Sequence, residues 1–253
     1  SVTTIESESG YPVTLVITGA LTQNLGNIAL GDNVIELTGG GTAFTRTLGN
    51  MTMGDGYLSF KGTADQTFDP GTGWSVPNLT IENTTGSDTE VTTSADEAFT
   101  VTGVLNLVTG YLLTEDAGGS KDGLLHIGNG AMIQIDNKLA ALNEVPTFDG
   151  KVDLYFVPSA AASTGTEVPA STTAINNMDL EATAGATILT LSNPVTVTGT
   201  LTLTAGHLEK GTESINLAPG AYVVMSGGVF DDAPTVTTYN LTYANTQNTL
   251  KEF

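Results

Sequence analysis

The chain has no cysteine, and only seven of its 253 residues are lysine or arginine. Without thiols there is no disulfide framework, no thiolate nucleophile and no cysteine-based metal site. The cations are outnumbered by 27 acidic residues, giving a formal net charge of −20. A surface this acidic repels phosphate backbones and anionic headgroups, so nucleic acid and anionic lipid are excluded as partners. No apolar run approaches the roughly 20 residues that a membrane-spanning helix needs, so membrane insertion is not expected. Ser1 leads directly into repeat sequence with no signal peptide before it, which reads as a processed or excised chain. Aromatic residues make up 6% of the chain and tryptophan occurs once, at Trp74. Helical periodicity is scarce too. The best short candidate is 138–144 (KLAALNE), with Pro146 just beyond it as a stop.

What is present is Thr, Gly, Val and Leu in short alternating runs. The hydrophobic fraction of 40% is enough for a core, so the charge does not make this a disordered chain. The stretch Val197-Thr198-Gly199-Thr200-Leu201-Thr202-Leu203-Thr204-Ala205-Gly206 shows the design. Side chains alternate across a strand, so Val197, Leu201 and Leu203 share a face only if the pattern is re-phased between them. Gly199 supplies a place for that break. Val101-Thr102-Gly103-Val104-Leu105-Asn106-Leu107, running on to Gly110, repeats the design, as does Ile17-Thr18-Gly19-Ala20-Leu21-Thr22 running on to Gly26. In all three the glycines are seven residues apart, at 19 and 26, 103 and 110, and 199 and 206. The first glycine of each pair is expected at a corner or bulge where a Cβ is poorly tolerated.

Flanking blocks align as well. Val2-Thr3-Thr4-Ile5 matches Asn78-Leu79-Thr80-Ile81 and Asn177-Met178-Asp179-Leu180. Tyr57-Leu58-Ser59-Phe60 matches Asp153-Leu154-Tyr155-Phe156 and the segment from Tyr239 to Tyr243. Three repeats follow one another, at 1–74, 75–171 and 172–253, with insertions at 114–121 and 139–150. Strands of four to seven residues, punctuated by Gly, Pro, Asn and Asp, make the class all-β. Two architectures fit: a continuous β-solenoid, parallel β-helix-like, or a tandem of small β-sandwiches. The missing sandwich core pins, the single-glycine corners and the lack of linkers between repeats favour the solenoid.

The phrases NLTIENTTG, VTGVLNLVTGYL and LLHIGNGAMIQI, with the later copy VTVTGTLTLTAGHLEKGTESINLAPGAYVVMSGG, carry a likeness. Together they resemble Thr/Gly-rich repeats of large secreted surface proteins of Bacteroidetes-type bacteria. The resemblance extends over nearly the whole chain. It implies an exported, extracellular or cell-surface structural or adhesive protein with a β-helix-like fold.

Candidate chemistry is thin. Parallel β-helices can carry polysaccharide lyases or hydrolases, which need clustered carboxylates and usually a basic partner. Asp231-Asp232 and Glu115-Asp116 are adjacent acid pairs, and neither recurs in the other repeats. His126 and His207 do not occupy matching positions, so no triad or histidine metal cluster is indicated. No catalytic residue, metal ligand or cofactor is therefore assigned. Ca²⁺ is a candidate ligand for the oxygen-rich corners Gly31-Asp32-Asn33 and Gly128-Asn129-Gly130, although no stretch matches a known calcium loop. Thr196, Thr198, Thr200, Thr202 and Thr204 form a Thr-x-Thr ladder of the kind that binds ice on a flat face. Asn50, Asn78, Asn83 and Asn240 have the form of glycosylation acceptors.

The two ends resemble an internal repeat junction. Trp74 precedes Ser75-Val76, and Phe253 would precede Ser1-Val2 if two copies met. Val2, Ile5, Leu250 and Phe253 are thus expected at a head-to-tail subunit interface. The expected function is a non-enzymatic extracellular structural protein, a subunit of a filament, fibre or adhesin whose partners are copies of itself and glycans. The alternatives are a carbohydrate-active β-helix enzyme and a glycan- or ice-binding surface module.

Overall fold

The computed structural model describes residues 2–4, 11–84, 90–93, 97–116, 119–120, 123–136, 141–170, 175–185, 187–231, 235–236 and 239–243. They contain strands and no helix. The chain divides into two compact units, residues 1–131 with 139–149 and residues 132–138 with 150–253. Each is a parallel β-solenoid, wound so that strands one coil apart pair side by side.

In the first unit each coil crosses three strand faces. The broadest face stacks Thr14–Ile17, Val34–Leu37, Tyr57–Phe60, Trp74–Glu82 and Phe99–Thr109. A second stacks Leu21–Gln23, Gly41–Arg46, Gln66–Asp69, Glu90–Thr93, Tyr111–Leu113 and Ala141–Leu142. The third starts with Val2–Thr4, Asn27–Gly31 and Met51–Met53. All of these ladders are parallel. Tandem sandwiches, built from antiparallel sheets, are therefore not what the chain forms.

Register turns the sequence alternation into continuous core columns. Leu15, Ile35, Leu58, Leu79 and Leu105 lie one above another, and Ile17, Leu37, Phe60, Ile81 and Leu107 form the next inward column. Phe44, Phe60, Phe68, Trp74 and Phe99 pack together inside, with ring centroids 5.0–6.3 Å apart. The one tryptophan is thus a core pin after all, buried within a solenoid.

Corners leave backbone polar groups without a ladder partner, and buried or half-buried amide side chains satisfy them. Gln66 donates to the carbonyls of Leu37 and Gly39 and accepts from the N–H of Gly62. Asn78 donates to the Gly54 and Gly56 carbonyls at 3.1 and 2.8 Å and accepts from the Val104 N–H at 3.0 Å. Arg46 is spent in the same way, donating to the carbonyls of Gly49, Pro70 and Thr72. Burial draws its pKa below the ordinary arginine value.

The second unit repeats the plan. One face stacks Met132–Ile135, Val152–Phe156, Ile175–Glu181, Thr200–Ala205, Ala221–Met225 and Tyr239–Tyr243, in parallel throughout. Its inward columns are Ile133, Leu154, Met178, Leu201 and Val223, then Ile135, Phe156, Leu180, Leu203 and Met225. Val195–Val197, Ile215–Leu217 and Thr235–Val236 form another face, and Ala162–Ser163, Ile188–Thr190, His207–Glu209 and Val229–Phe230 a third. Asn177 is the counterpart of Asn78: its side chain accepts from the Thr200 N–H at 2.9 Å and donates to Asp153.

Two glycines behave as expected and one does not. Opposite Pro77 the chain carries both Thr102 and Gly103, a bulge that keeps Val101 and Leu105 inward. A Cβ on Gly103 would stand 2.7 Å from the Pro77 carbonyl oxygen. Gly199 lies in the matching shift, 2.7 Å from the Asn176 oxygen by the same construction, and Val197, Leu201 and Leu203 are all buried. Gly19 lies at the corner between Thr14–Ile17 and Leu21–Gln23, but it faces open space and has no positive φ, so the expectation that a Cβ is poorly tolerated there is overturned. The shared requirement lies in the second glycine of each pair: Gly26, Gly110 and Gly206 have φ of 88°, 86° and 92°. The helix expected over 138–144 is also overturned within the described residues. Ala141–Leu142 is a strand paired with Tyr111 and Leu112, and Leu142 is buried, because inward packing outweighs weak helix propensity.

These positions separate by substitution. Gly206→Ala should cost about 1–3 kcal/mol in urea unfolding, since it combines a left-handed φ with a Cβ 2.6 Å from that of Ala182. Gly19→Ala should be neutral or stabilising by up to about 1 kcal/mol. Equal effects would show that backbone conformation does not distinguish the pair. Asn78→Ala, which strands the Val104 N–H and two carbonyls, should cost about 1–3 kcal/mol by the same measurement.

Candidate interaction surfaces

Two features of the first unit are exposed in ways the rest of its surface is not. The first is the outer edge of its broad face. Thr14–Ile17 pairs with Val34–Leu37 on one side, and no described strand pairs with the other. Leu15 is 43% exposed, whereas its column mates Ile35, Leu58, Leu79 and Leu105 are buried. Tyr11, Val13 and Val16 are exposed beside it. The strand contains no charge and no proline, the usual protections of a sheet edge. Val2–Thr4 is likewise an edge strand, paired with Asn27–Gly31 alone among the described strands. That places Val2 on an edge. Ile5, Leu250 and Phe253 lie outside the described residues.

The second feature is a groove of about 440 Å³ on the outward side of the same face. Tyr57, Asn78 and Val104 line one side, Glu82 and Val108 the other, and Thr80 and Asn106 lie between them. Thr80 is in register with Ser59 on one neighbouring coil and Asn106 on the other. The Asn106 Oδ1 and Ser59 Oγ atoms are buried, with no hydrogen-bond partner in the structure. Beside the groove, the Lys61 ammonium lies 3.2 Å from Glu36 Oε1 and 3.2 Å from Glu82 Oε2. Those two hydrogen bonds hold its pKa above the ordinary lysine value.

Both histidines found in the sequence are paired one coil on. His126 Nδ1 lies 2.9 Å from Asp149 Oδ1 in the first unit, and His207 Nδ1 lies 2.9 Å from Asp231 Oδ1 in the second. Asp231 is thus a partner for a histidine; Asp232 lies outside the described residues. Glu115–Asp116 pairs with Gly119–Ser120 as an antiparallel hairpin, which is where the insertion at 114–121 goes. The Asp32 and Asn33 side chains accept from the N–H groups of Asp55 and Val13. Among the described residues no group of three or more His, Asp or Glu is arranged to hold a metal ion. The threonine ladder does not extend from coil to coil: Thr202 is flanked by Asp179 and Val224, and Thr200 faces Tyr222.

The second unit concentrates acid on its outward side. Tyr155 donates to Glu181 Oε2 at 2.6 Å, and this bond, with burial, pushes the phenol up to about 12. Burial raises Asp179 above the usual carboxylate range, with Asp153 and Glu181 adding to it against a hydrogen bond from Thr202. Glu167 is buried in a tight turn, accepting from the Gly165 N–H at 2.6 Å, and desolvation holds it above that range too.

Sequence reasoning assigned neither the groove nor the histidine–aspartate pairs. Their members are distant in sequence and meet because strands about 23 residues apart stack, as Val34 does on Tyr57. A search for polar residues recurring at that interval would have found them. Comparison with protein-family models, curated proteins and solved structures yields no match.

Glu167 gives a pH prediction. Its folded pKa is raised, so the folded chain holds this proton more tightly than the unfolded chain. The stability penalty is present at neutral pH and is relieved as pH falls through the folded pKa. Glu167→Gln keeps an acceptor for Gly165 and removes the charge. It should raise Tm at neutral pH and shrink the gain seen on mild acidification. An unchanged pH profile would show that this carboxyl does not couple to folding.

Proposed function

We propose that the chain is a non-enzymatic structural module of an extracellular or cell-surface assembly that associates with further copies of itself by extending its parallel ladders. The observation that carries this reading is the bare edge Thr14–Ile17, where a column that is buried in every later coil of the unit opens to solvent at Leu15. A strand added there would satisfy a row of backbone donors and acceptors and cover Leu15 and Val13 together. Fully burying an aliphatic side chain is worth roughly 1.5–3 kcal/mol.

A second copy has a suitable donor. Tyr239–Tyr243 pairs with Ala221–Met225 on one side, its other edge is unpaired among the described residues, and its register sets Leu241 against the core residue Val223. Joining that edge to Thr14–Ile17 continues a parallel ladder from copy to copy. Such a contact is heterologous, joining unlike edges, and it propagates as a filament wherever successive copies do not close into a ring. Val2–Thr4 stands at the same end of the first unit, in keeping with a place for Val2 in the contact.

Light scattering across a concentration series, with electron microscopy of the same samples, tests the reading. The wild-type chain should lengthen into filaments as concentration rises. Leu15→Asp combined with Val16→Asp should remain monomeric with an unchanged β-rich circular dichroism spectrum. A wild-type chain that stays monomeric at high concentration, or a double variant that assembles equally well, would sink the proposal.

A further inference from the structure

We infer that the groove on the outward face of the first unit is a binding site for a neutral oligosaccharide. Its composition is that of a sugar site rather than of a bare sheet surface. Sugars combine apolar C–H faces with hydroxyls that both donate and accept. Tyr57, Val104 and Val108 offer the apolar contact, with a phenol placed for a polar one. Thr80 and Asn106 lie between these walls, and the carboxylates of Glu82 and Asp55 border them as acceptors for hydroxyl donors. The Asn106 Oδ1 atom is buried without a partner, while the side chain as a whole is half-buried and lines this groove, so a carboxamide with one unmet acceptor stands at its floor. Asn78, by contrast, is committed to the Gly54, Gly56 and Val104 backbone and serves the wall alone.

Charge decides which sugars fit. The first unit has two cations among its described residues, Arg46 and Lys61. Arg46 is buried against backbone carbonyls, and Lys61 is held between Glu36 and Glu82. Neither is free to neutralise a uronate or sulfate, while Asp55 and Glu82 would repel one. The site therefore favours an uncharged chain. Its floor crosses stacked strands at roughly 4.8 Å per coil, close to the length of one hexose unit, so successive sugars of an extended chain can meet equivalent positions on successive coils.

Calorimetric titration with cellohexaose, xylohexaose, laminarihexaose and chitohexaose tests this, with an oligogalacturonate of similar length as the charged control. At least one neutral chain should bind and the oligogalacturonate should not. Tyr57→Ala and Asn106→Ala should each weaken that binding tenfold or more. Thr80→Val, close to isosteric, should weaken it at least threefold and keeps the test open if a larger change unfolds the unit. Failure of every neutral chain to bind at millimolar concentration would overturn the inference, as would equal binding of the oligogalacturonate or binding untouched in all three variants. The Leu15→Asp/Val16→Asp chain should bind as wild type does, which separates this site from self-association.

Discussion

Everything in this fold depends on satisfying the backbone at the corners. A strand in a parallel ladder gives its N–H and C=O groups to the coils on either side, but a chain turning from one face to the next cannot, and its polar groups point partly inward. Buried and half-buried amides meet this demand. Gln66 and Asn78 bridge carbonyls and N–H groups of different coils, and Asn177 repeats the Asn78 bond in the second unit. Such a side chain is costly to leave unpaired and strong when fully paired, so it fixes the corner geometry more sharply than an apolar residue would. Arg46 shows how far this goes: a cation in an acid-rich chain is spent on three carbonyls.

With the corners fixed, the strands need only alternate. Inward columns of Leu, Ile and Phe stack in register, and the outward residues are released from packing. The polar and acidic content of the chain accumulates there. The outward sides consequently differ between the units, while the inward sides of both remain apolar. The first carries Tyr57, Thr80 and Asn106, and the second carries Tyr155, Asp179 and Glu181.

Much of this was legible in the sequence. Alternation gave the strands, and the glycine spacing pointed to the bulges at Gly103 and Gly199, because re-phasing a buried pattern leaves a trace in composition. Gly19 misled, since the same local sequence occurs where nothing crowds the backbone. The KLAALNE segment misled for the opposite reason: its local preference is weak, and pairing of Ala141 and Leu142 with Tyr111 and Leu112 overrides it. The coil length was hidden because corners differ in length and composition, leaving no motif to mark the interval. Groove and histidine–aspartate pairs depend on that interval, so they were hidden with it.

The hairpin formed by Glu115–Asp116 and Gly119–Ser120 is antiparallel in a unit whose other described strand ladders run parallel. It sits between strands of successive faces, and the ladders on both sides of it keep their register. Extra sequence at such a corner is therefore free to vary without being felt by the core. A lineage could acquire, exchange or lose recognition elements there by insertion alone, while selection on the inward columns held the scaffold constant. Diversity in this architecture would then be read in the lengths of its corners rather than in substitutions along its strands.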